Sequence, residues 1–203
     1  MAESLIRDRK QVLRAAAISQ RASLKRADSQ TWSRLIQEKV LQFPPYLRAQ
    51  SIALYSPIQN EVETAAIRDH ALVAGKTVYY PKLGRAGSLE LVQVDSAGTF
   101  GVGRFGILEP VGDRRLSDGD HSRLIVMVPG VIFDSQGNRL GRGLGYYDRL
   151  LIQLRPDAIF LGLAYDFQTL DEVPAEFWDQ RVHYVITERR IIDCTTAQST
   201  LEV

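Results

Sequence analysis

Glycine, arginine and one acid are concentrated in a short stretch of the chain. Residues 139–151 read RLGRGLGYYDRLL, after an apolar run at 124–134 and before a helical apolar pattern. In the order strand, glycine-rich loop and helix, backbone N–H groups converge on an anion, and glycine lets the backbone approach it. Arg139 and Arg142 add donors suited to phosphate oxygens. The stretch predicts a phosphate site; a plain glycine-rich connection with solvated arginines is the alternative.

Two familiar nucleotide motifs do not account for this stretch. Gly141, Gly143 and Gly145 give GxGxG, whereas the dinucleotide fingerprint requires GxGxxG. A GKT triplet at 75–77 lacks the glycine that a Walker loop carries five positions earlier, since His70 stands there. The triplet also lies between a predicted helix and the following strand, and we interpret it as a helix end.

Asp148 is the acid of this stretch. A carboxylate beside bound phosphate repels it unless a cation lies between them, and Mg²⁺ commonly uses one or two carboxylates together with phosphate oxygens. The helix dipole also favours an acid in the first turn of a helix, by about 0.3–1 kcal/mol. Both interpretations can hold together, but only the cation explains an acid among phosphate donors.

A second group of basic residues lies near the start of the chain. Lys10 and Arg14 are four residues apart and share one face of a helix predicted over 4–20. Like charges at this spacing disfavour an isolated helix, and an anionic ligand across both would reverse that effect. A solvated helix face is one alternative. An organellar targeting helix is another, although such segments usually lack acids such as Glu3 and Asp8.

The composition limits the classes of protein to consider. With 203 residues, 45% of them hydrophobic, the chain is predicted to form a single domain over 1–203. Its 25 Lys and Arg against 24 Asp and Glu argue against a protein that coats nucleic acid. Cys194 is the only cysteine and there are three histidines, which excludes an internal disulfide and a zinc cluster. No apolar run approaches the roughly eighteen residues of a membrane span and no signal peptide follows Met1, so we expect a reducing cytosol.

Helical and strand patterns alternate along the chain. Helices are predicted at 4–20, from 28 or 29 to 43, at 63–75, and from the glycine-rich stretch to Pro156. Strands are predicted at 51–57, 77–83, 89–94, 124–134, 158–165 and 182–187, and loops over 95–122. The continuous apolar run at 124–134 indicates a strand covered on both faces. The pattern predicts a single-domain, layered α/β fold with a central, largely parallel sheet flanked by helices.

Together these motifs resemble the 5-formyltetrahydrofolate cyclo-ligase family, also called 5,10-methenyltetrahydrofolate synthetases. The strongest match is PGVIFDSQGNRLGRGLGYYDRLL at 129–151. Supporting matches follow one another along nearly the whole chain: KQVLR at 10–14, NEVET at 60–64, GILEP at 106–110, and VPAEFWD and VHYVITE near the end.

The resemblance implies an ATP-dependent ring closure that converts 5-formyltetrahydrofolate to 5,10-methenyltetrahydrofolate and releases ADP and phosphate. In the family mechanism the formyl oxygen attacks the γ-phosphate to give an imino-phosphate, N10 attacks the activated carbon, and phosphate leaves. Positioning and charge stabilisation carry such a reaction. The residues agree with this, since they suggest phosphate donors and a metal acid but no catalytic triad.

The resemblance also implies roles for particular residues. The ATP site would comprise Lys10, Arg14, Arg139, Leu140, Gly141, Arg142, Gly143, Leu144, Gly145, Tyr146 and Tyr147, with Arg142 and Lys10 taking part in catalysis. The folate site would comprise Ser56, Glu61, Arg142, Gly143, Gly145 and Tyr146. Asp148 and Asp179 would hold Mg²⁺. A carboxylate at Glu61 suits the adjacent N–H donors along one edge of a pterin.

Two positions depart from the family pattern. Leu144 stands where relatives often carry Gly or Lys, and it would be strained if that position required a positive φ. Ser56 stands where an apolar residue is expected, so its contact would be one of shape.

Other functions remain as alternatives. They are a paralogue that acts on another formylated or cyclisable substrate, an inactive nucleotide-binding regulator, and a nucleic-acid-binding protein. Retention of Lys10, Arg142 and Asp148 counts against the regulator, and the balanced charge counts against nucleic-acid binding. We expect a cytoplasmic monomer that binds neither nucleic acid nor membrane.

Overall fold

The computed structural model describes residues 2–84, 87–96, 98–117 and 123–196. The α-helices in these ranges are α1 (Ala2–Ala22), α2 (Arg26–Gln42), α3 (Pro44–Arg48), α4 (Ala65–Val73) and α5 (Tyr146–Leu154). The strands are β1 (Ser51–Ala53), β2 (Thr77–Leu83), β3 (Leu89–Val94), β4 (Phe100–Val102), β5 (Leu108–Pro110), β6 (Leu124–Val128), β7 (Ile132–Asp134), β8 (Arg139–Leu140), β9 (Ile159–Leu163), β10 (Thr169–Leu170), β11 (Tyr184–Ile186) and β12 (Ile191–Asp193). Short 3₁₀ turns lie at Arg104–Gly106 and Asp166–Gln168.

A seven-stranded sheet in the order β12-β11-β9-β6-β1-β2-β3 forms the centre of the protein. The inner strands pair in parallel, and β3 and β12 pair antiparallel at the two edges. This confirms the predicted α/β fold with a largely parallel sheet. From β1 the chain proceeds to β2 on one side, whereas β6 on the other side leads to β9 and β11. The order of strands therefore reverses between β1 and β6, and such a switch point is where open parallel sheets bind ligands.

Helices cover both faces of this sheet. On one face Ile125 and Met127 of β6 join a buried cluster with residues of α2, α3 and α4. On the other face Leu124, Val126 and Val128 pack in a cluster with residues of α5. Alternate residues of β6 thus enter different layers, which is why the strand reads as a continuous apolar run.

The predicted strand at 124–134 is divided in the structure. It breaks after Val128, and β7 joins a separate sheet in the order β10-β7-β8. Pro129 cannot donate a ladder hydrogen bond. Gly130 lies so close to the Phe133 ring that a β-carbon there would stand 2.4 Å from it. The chain therefore leaves the seven-stranded sheet at Pro129 and Gly130, and the carboxyl end of β6 stays open.

The region predicted as loops also contains regular structure. Strands β4 and β5 form an antiparallel ribbon within 100–110. Each is three residues long, which is too short for an alternating pattern to emerge from a sequence. In the described part of the chain, no helix is both long enough and apolar enough to cross a membrane.

The turn after β7 positions the start of the glycine-rich stretch. The Asp134 carboxylate is 1% exposed and accepts hydrogen bonds from the backbone N–H groups of Gln136, Asn138 and Val173. Gly137 has φ of 80°, and a β-carbon there would lie 2.2 Å from the Val182 carbonyl oxygen. Only glycine fits this turn without displacing the backbone.

Candidate active site

A cavity of about 1050 Å³ lies at the carboxyl ends of β1 and β6. Its walls come from α1, from the segments that follow β1 and β6, from residues 139–149 and from residues 176–179. All the site residues predicted from the sequence line it: Lys10, Arg14, Ser56, Glu61, the ten residues 139–148, and Asp179. Ligand pockets typically measure about 300–1,000 Å³, so this cavity is large enough for a large ligand or for two. The fold brings these residues together, and the role of each stays a prediction.

The glycine-rich loop, residues 141–145, turns at two of its glycines. Gly143 has φ of 95° and Gly145 has φ of 64°. Leu144, between them, is not among the residues with positive φ, so the strain considered from the sequence does not arise. Its side chain is 55% exposed and lines the cavity. The two positions that require left-handed backbone are therefore both glycine.

Helix α5 begins directly after this loop. Gly145 occupies the N-cap position in a left-handed conformation, and within the described part of the chain no side-chain cap hydrogen bond is made there. The first-turn N–H groups of a helix without a side-chain cap can serve an anion in the adjoining cavity. The guanidinium of Arg149 lies over the Tyr146 ring, with its Cζ 5.1 Å from the ring centre. Tyr147, in the first turn of α5, packs against the buried core, and burial raises the pKa of its hydroxyl.

The two basic residues of α1 both face the cavity. The Arg14 Nε donates a hydrogen bond of 2.8 Å to the Gly141 carbonyl oxygen, which ties α1 to the glycine-rich loop. The Lys10 ammonium lies 2.6 Å from a carboxylate oxygen of Glu176 and of Asp179. Burial alone would lower the pKa of Lys10, but the hydrogen bonds to Asp179 and Glu176 outweigh it and raise the pKa. Lys10 therefore carries its charge at neutral pH, already paired with acids.

Asp148 and Asp179 are each held through one carboxylate oxygen. Oδ1 of Asp148 accepts hydrogen bonds of 3.0 Å from Arg139 Nη1 and from the backbone N–H of Gln180. Oδ2 of Asp179 accepts from Lys10 and, at 2.8 Å, from the backbone N–H of Glu176. Within the described residues, no hydrogen bond reaches the second oxygen of either acid.

These two acids suit the requirements of Mg²⁺, which needs only one or two carboxylates beside phosphate oxygens and water. Each has an oxygen left for a cation, and both line the cavity. A protein-only cage is not formed, because the described residues contain no group of three or more acids, histidines or cysteines that could hold a metal. The donor set therefore fits a cation that reaches the protein together with phosphate.

Arg139, predicted from the sequence as a phosphate donor, is almost completely buried. Its side chain is 3% exposed, and Nη1 donates to Asp148 and, at 2.6 Å, to the Gln180 carbonyl oxygen. Its Nε is buried and has no hydrogen-bond partner among the described residues. The guanidinium links the start of α5 to the segment around Asp179, a contact that a sequence pattern does not reveal.

The Glu61 carboxylate lies between two guanidinium groups. Its Oε1 is 3.3 Å from Nη2 of Arg21 and 3.3 Å from Nη2 of Arg142. Its Oε2 accepts from the backbone N–H of Ile58 at 3.2 Å. The flanking glycines predict that Arg142 has no side-chain neighbours, whereas its Nη1 also reaches Gln59 Oε1 at 3.0 Å.

Arg21 was not found from the sequence. Lys10, Arg14 and Arg21 lie at i, i+4 and i+11 along α1, which places them on one helix face. That spacing is a signal that could have identified it. Arg21 is 1% exposed and does not itself line the cavity.

The ribbon of β4 and β5 forms part of the cavity wall. The Ser56 hydroxyl donates a 2.6 Å hydrogen bond to the Leu108 carbonyl oxygen, so it is engaged by the protein itself. Phe105, in the turn of the ribbon, has φ of 65°, is 60% exposed and lines the cavity. It lies in a region that gave no pattern in the sequence.

Comparison with known proteins agrees with the fold and the motifs. Residues 6–188 match the sequence model of the 5-formyltetrahydrofolate cyclo-ligase family. A probable 5-formyltetrahydrofolate cyclo-ligase of Schizosaccharomyces pombe is 30% identical over 81% of this chain and 87% of its own. The 5-formyltetrahydrofolate cyclo-ligase of Escherichia coli K12 is 32% identical over 75% of this chain and 86% of its own.

Solved structures give the same result. The NMR structure of Aquifex aeolicus 5,10-methenyltetrahydrofolate synthetase superposes with a TM-score of 0.81 at 33% identity, over 91% of this chain and 92% of that one. The synthetase of Mycoplasma pneumoniae gives a TM-score of 0.69 at 26% identity, over 88% and 98% of the two chains. The family match, the relatives and the shared fold confirm the resemblance found in the sequence: the chain belongs to the 5-formyltetrahydrofolate cyclo-ligase family and is a ligase.

Proposed function

We propose that this protein converts 5-formyltetrahydrofolate to 5,10-methenyltetrahydrofolate and hydrolyses ATP to ADP and phosphate in the same cycle. One observation carries the proposal: a single cavity contains both the glycine-rich loop with its helix start and the Glu61 carboxylate at the switch point of the sheet. The relatives that bear the family name support the ring closure. The glycine-rich loop provides donors for the phosphates of a nucleotide and Glu61 provides an acceptor for a pterin, which supports binding of both ligands in this cavity.

The nucleotide occupies the part of the cavity between α1 and the glycine-rich loop. Arg14, the first-turn N–H groups of α5 and Arg142 are the donors that suit its phosphates. Lys10 adds a charge that becomes available when a cation or a phosphate rearranges its contacts with Glu176 and Asp179. These groups bind and orient the terminal phosphate near the folate, which is the main task of a protein in phosphoryl transfer.

The folate occupies the part of the cavity that is lined by the chain segment after β1. Glu61 accepts hydrogen bonds from the pterin edge, and Phe105 and Tyr146 offer flat apolar surfaces nearby. The formyl oxygen then attacks the γ-phosphorus, and the bond from phosphorus to the ADP oxygen breaks. N10 attacks the formyl carbon and loses its proton, and the bond from that carbon to the phosphorylated oxygen breaks, so that phosphate leaves with the formyl oxygen. Arg142 lies between the two parts, where its guanidinium can stabilise the negative charge on the oxygens of the transferring phosphoryl group.

Mg²⁺ belongs to this proposal as the partner of the nucleotide. Asp148 and Asp179 would hold it, and its charge would offset repulsion between these acids and the phosphates. We also propose that the chain acts as a single domain and a monomer in the cytosol, without nucleic acid or membrane.

The experiment is to incubate the protein with Mg-ATP and 5-formyltetrahydrofolate and to record the absorbance of the methenyl product together with phosphate release. We expect one phosphate for each methenyl group formed, and no product without ATP. A folate-independent ATPase, or ring closure without ATP, would reject the proposal.

A further inference from the structure

Arg21 is a charged side chain in the interior, directly behind the cavity. It is 1% exposed, and burial lowers the pKa of its guanidinium, although an arginine remains protonated in any case. A buried charge is costly unless its hydrogen bonds and a counter-charge are supplied. The contacts of Arg21 therefore indicate what its charge does.

The three nitrogens of the Arg21 guanidinium reach three different acceptors. Nε donates to the Gln59 carbonyl oxygen at 3.1 Å, Nη1 to the Gly130 carbonyl oxygen at 3.4 Å, and Nη2 to Glu61 Oε1 at 3.3 Å. Gln59 and Glu61 follow β1, and Gly130 follows β6. The side chain thus joins the two segments that leave the switch point of the sheet.

The turn that carries Glu61 needs such support. Gln59 has φ of 49° and Asn60 has φ of 58°, and residues other than glycine rarely adopt a backbone conformation with positive φ. Asn60 Nδ2 donates back to the Arg21 carbonyl oxygen at 3.2 Å. Arg21 therefore holds this turn through its side chain and its backbone, and the position of the Glu61 carboxylate depends on it.

We propose that Arg21 is a positioning residue that fixes the Glu61 carboxylate for folate. The proposal rests on the proposed function, in which Glu61 accepts hydrogen bonds from the pterin. Arg21 is buried and held at three points, whereas the Arg142 side chain is 36% exposed on the glycine-rich loop. When Arg142 turns to the phosphates, Arg21 remains as the counter-charge of Glu61 and keeps it aimed at the cavity.

Arg21→Lys tests this directly, because an ammonium keeps the charge but has all its donors on one nitrogen, whereas the guanidinium of Arg21 donates from three. We expect KM for 5-formyltetrahydrofolate to rise by about tenfold or more, the loss typical of a disturbed hydrogen bond to a charged partner. KM for ATP should stay unchanged and kcat should fall much less than kcat/KM for folate. A parallel loss in both substrates would overturn the positioning role.

A double-mutant cycle shows whether Arg21 acts through Glu61. If it does, Arg21→Lys should change folate KM little once Glu61→Gln is present, since coupled residues are not additive. Fully additive effects would contradict the proposal. Arg155→Lys is the matched control: Arg155 also has a lowered pKa from burial, packs on Phe160 and lies outside the cavity lining. It should lower the melting temperature without moving either KM.

Two further comparisons keep the outcome decisive. If Arg21→Lys does not fold, Asn60→Gly removes the hydrogen bond to the Arg21 carbonyl without straining the positive φ of this position. It should raise folate KM in the same direction; an unchanged KM rejects the proposal. The unsubstituted protein tests the proposed function separately. If the unsubstituted protein does not turn over, the proposed function is rejected. If the unsubstituted protein turns over and Arg21→Lys has the same folate KM, only the role of Arg21 is rejected.

Discussion

The Arg142 guanidinium lies 3.3 Å from the Glu61 carboxylate, and this contact joins the glycine-rich loop to the turn after β1. The two partners differ in exposure, with the Glu61 side chain 8% exposed and that of Arg142 36% exposed. Glu61 is fixed from behind by Arg21, whereas Arg142 is attached through a loop with two left-handed glycines. The part of the cavity proposed for the nucleotide and the part proposed for folate are therefore joined by this contact. Substitutions of Arg142 and of Glu61 are therefore expected to be non-additive.

Turnover should require a divalent cation as well as ATP. Asp148 and Asp179 each keep one oxygen without a hydrogen bond in the described structure, beside the glycine-rich loop. We expect product formation to stop in excess chelator and to return when Mg²⁺ is restored. Asp148→Asn should raise the Mg²⁺ concentration needed for half-maximal rate, because it removes one anionic ligand.

The control separates a cation ligand from a helix-end acid. Asp28 lies in the first turn of α2 and does not line the cavity, so Asp28→Asn removes the same dipole interaction elsewhere. It should leave the Mg²⁺ requirement unchanged. Full turnover in chelator would leave Asp148 as a helix-end acid paired with Arg139.

Long, regular patterns could be predicted from the sequence, and contacts between distant segments could not. Strand β2 (Thr77–Leu83) has the bounds expected from its apolar and β-branched run. The spacing of Lys10 and Arg14 predicted a shared face, and both line the cavity. The short strands around β7 have too few residues for a period to show. The pairing of Arg21 with Glu61 joins positions 40 apart in the sequence, and no periodicity marks such a contact.

The stability of the protein should fall as the pH drops from about 6.5 to 4, in part because of His183. Its Nδ1 accepts the backbone N–H of Phe160 at 2.8 Å, and burial, with a smaller effect of Arg155, lowers its pKa to about 4. The unfolded chain binds the proton near pH 6.5 and the folded chain only near 4, so protonation favours unfolding between these values. The loss should be less than about 3 kcal/mol, because part of the ring reaches solvent and screening weakens the effect.

Urea unfolding at a series of pH values measures this contribution. The unsubstituted protein and His183→Asn, whose side-chain oxygen can still accept from Phe160, should be compared at each pH. We expect the difference between their unfolding free energies to change between pH 6.5 and 4 and to level off below 4. Parallel curves for the two proteins would show that His183 is protonated as easily in the folded state as in the unfolded one.

Glu61→Gln should weaken folate binding more than ATP binding. The substitution replaces a charged acceptor by a neutral one, and hydrogen bonds to a charged group contribute about 1.5–3 kcal/mol, so folate KM should rise by about tenfold or more. The melting temperature should fall as well, because buried Arg21 loses its counter-charge.

Glu63→Gln provides the comparison for this variant. Glu63 lies two residues further along, is exposed and does not line the cavity. It should leave both KM values unchanged. Equal effects of Glu61→Gln on folate and ATP would remove Glu61 from the pterin site.

Arg142→Ala should lower turnover by about a hundredfold, since an interaction that meets charge developing on a transferring group is worth roughly 3 kcal/mol. Arg142→Lys should recover only part of the rate, because an ammonium lacks the paired donors of the guanidinium. Thermal melting should change little, because the side chain is partly exposed and Glu61 keeps Arg21 as its partner. Arg190→Ala is the matched control: Arg190 is 57% exposed, pairs with Asp166 at 3.0 Å and lies outside the cavity lining. If Arg142→Ala turns over normally, or melts far below Arg190→Ala, then Arg142 serves to hold the loop on Glu61 and the phosphates are gripped by backbone N–H groups alone.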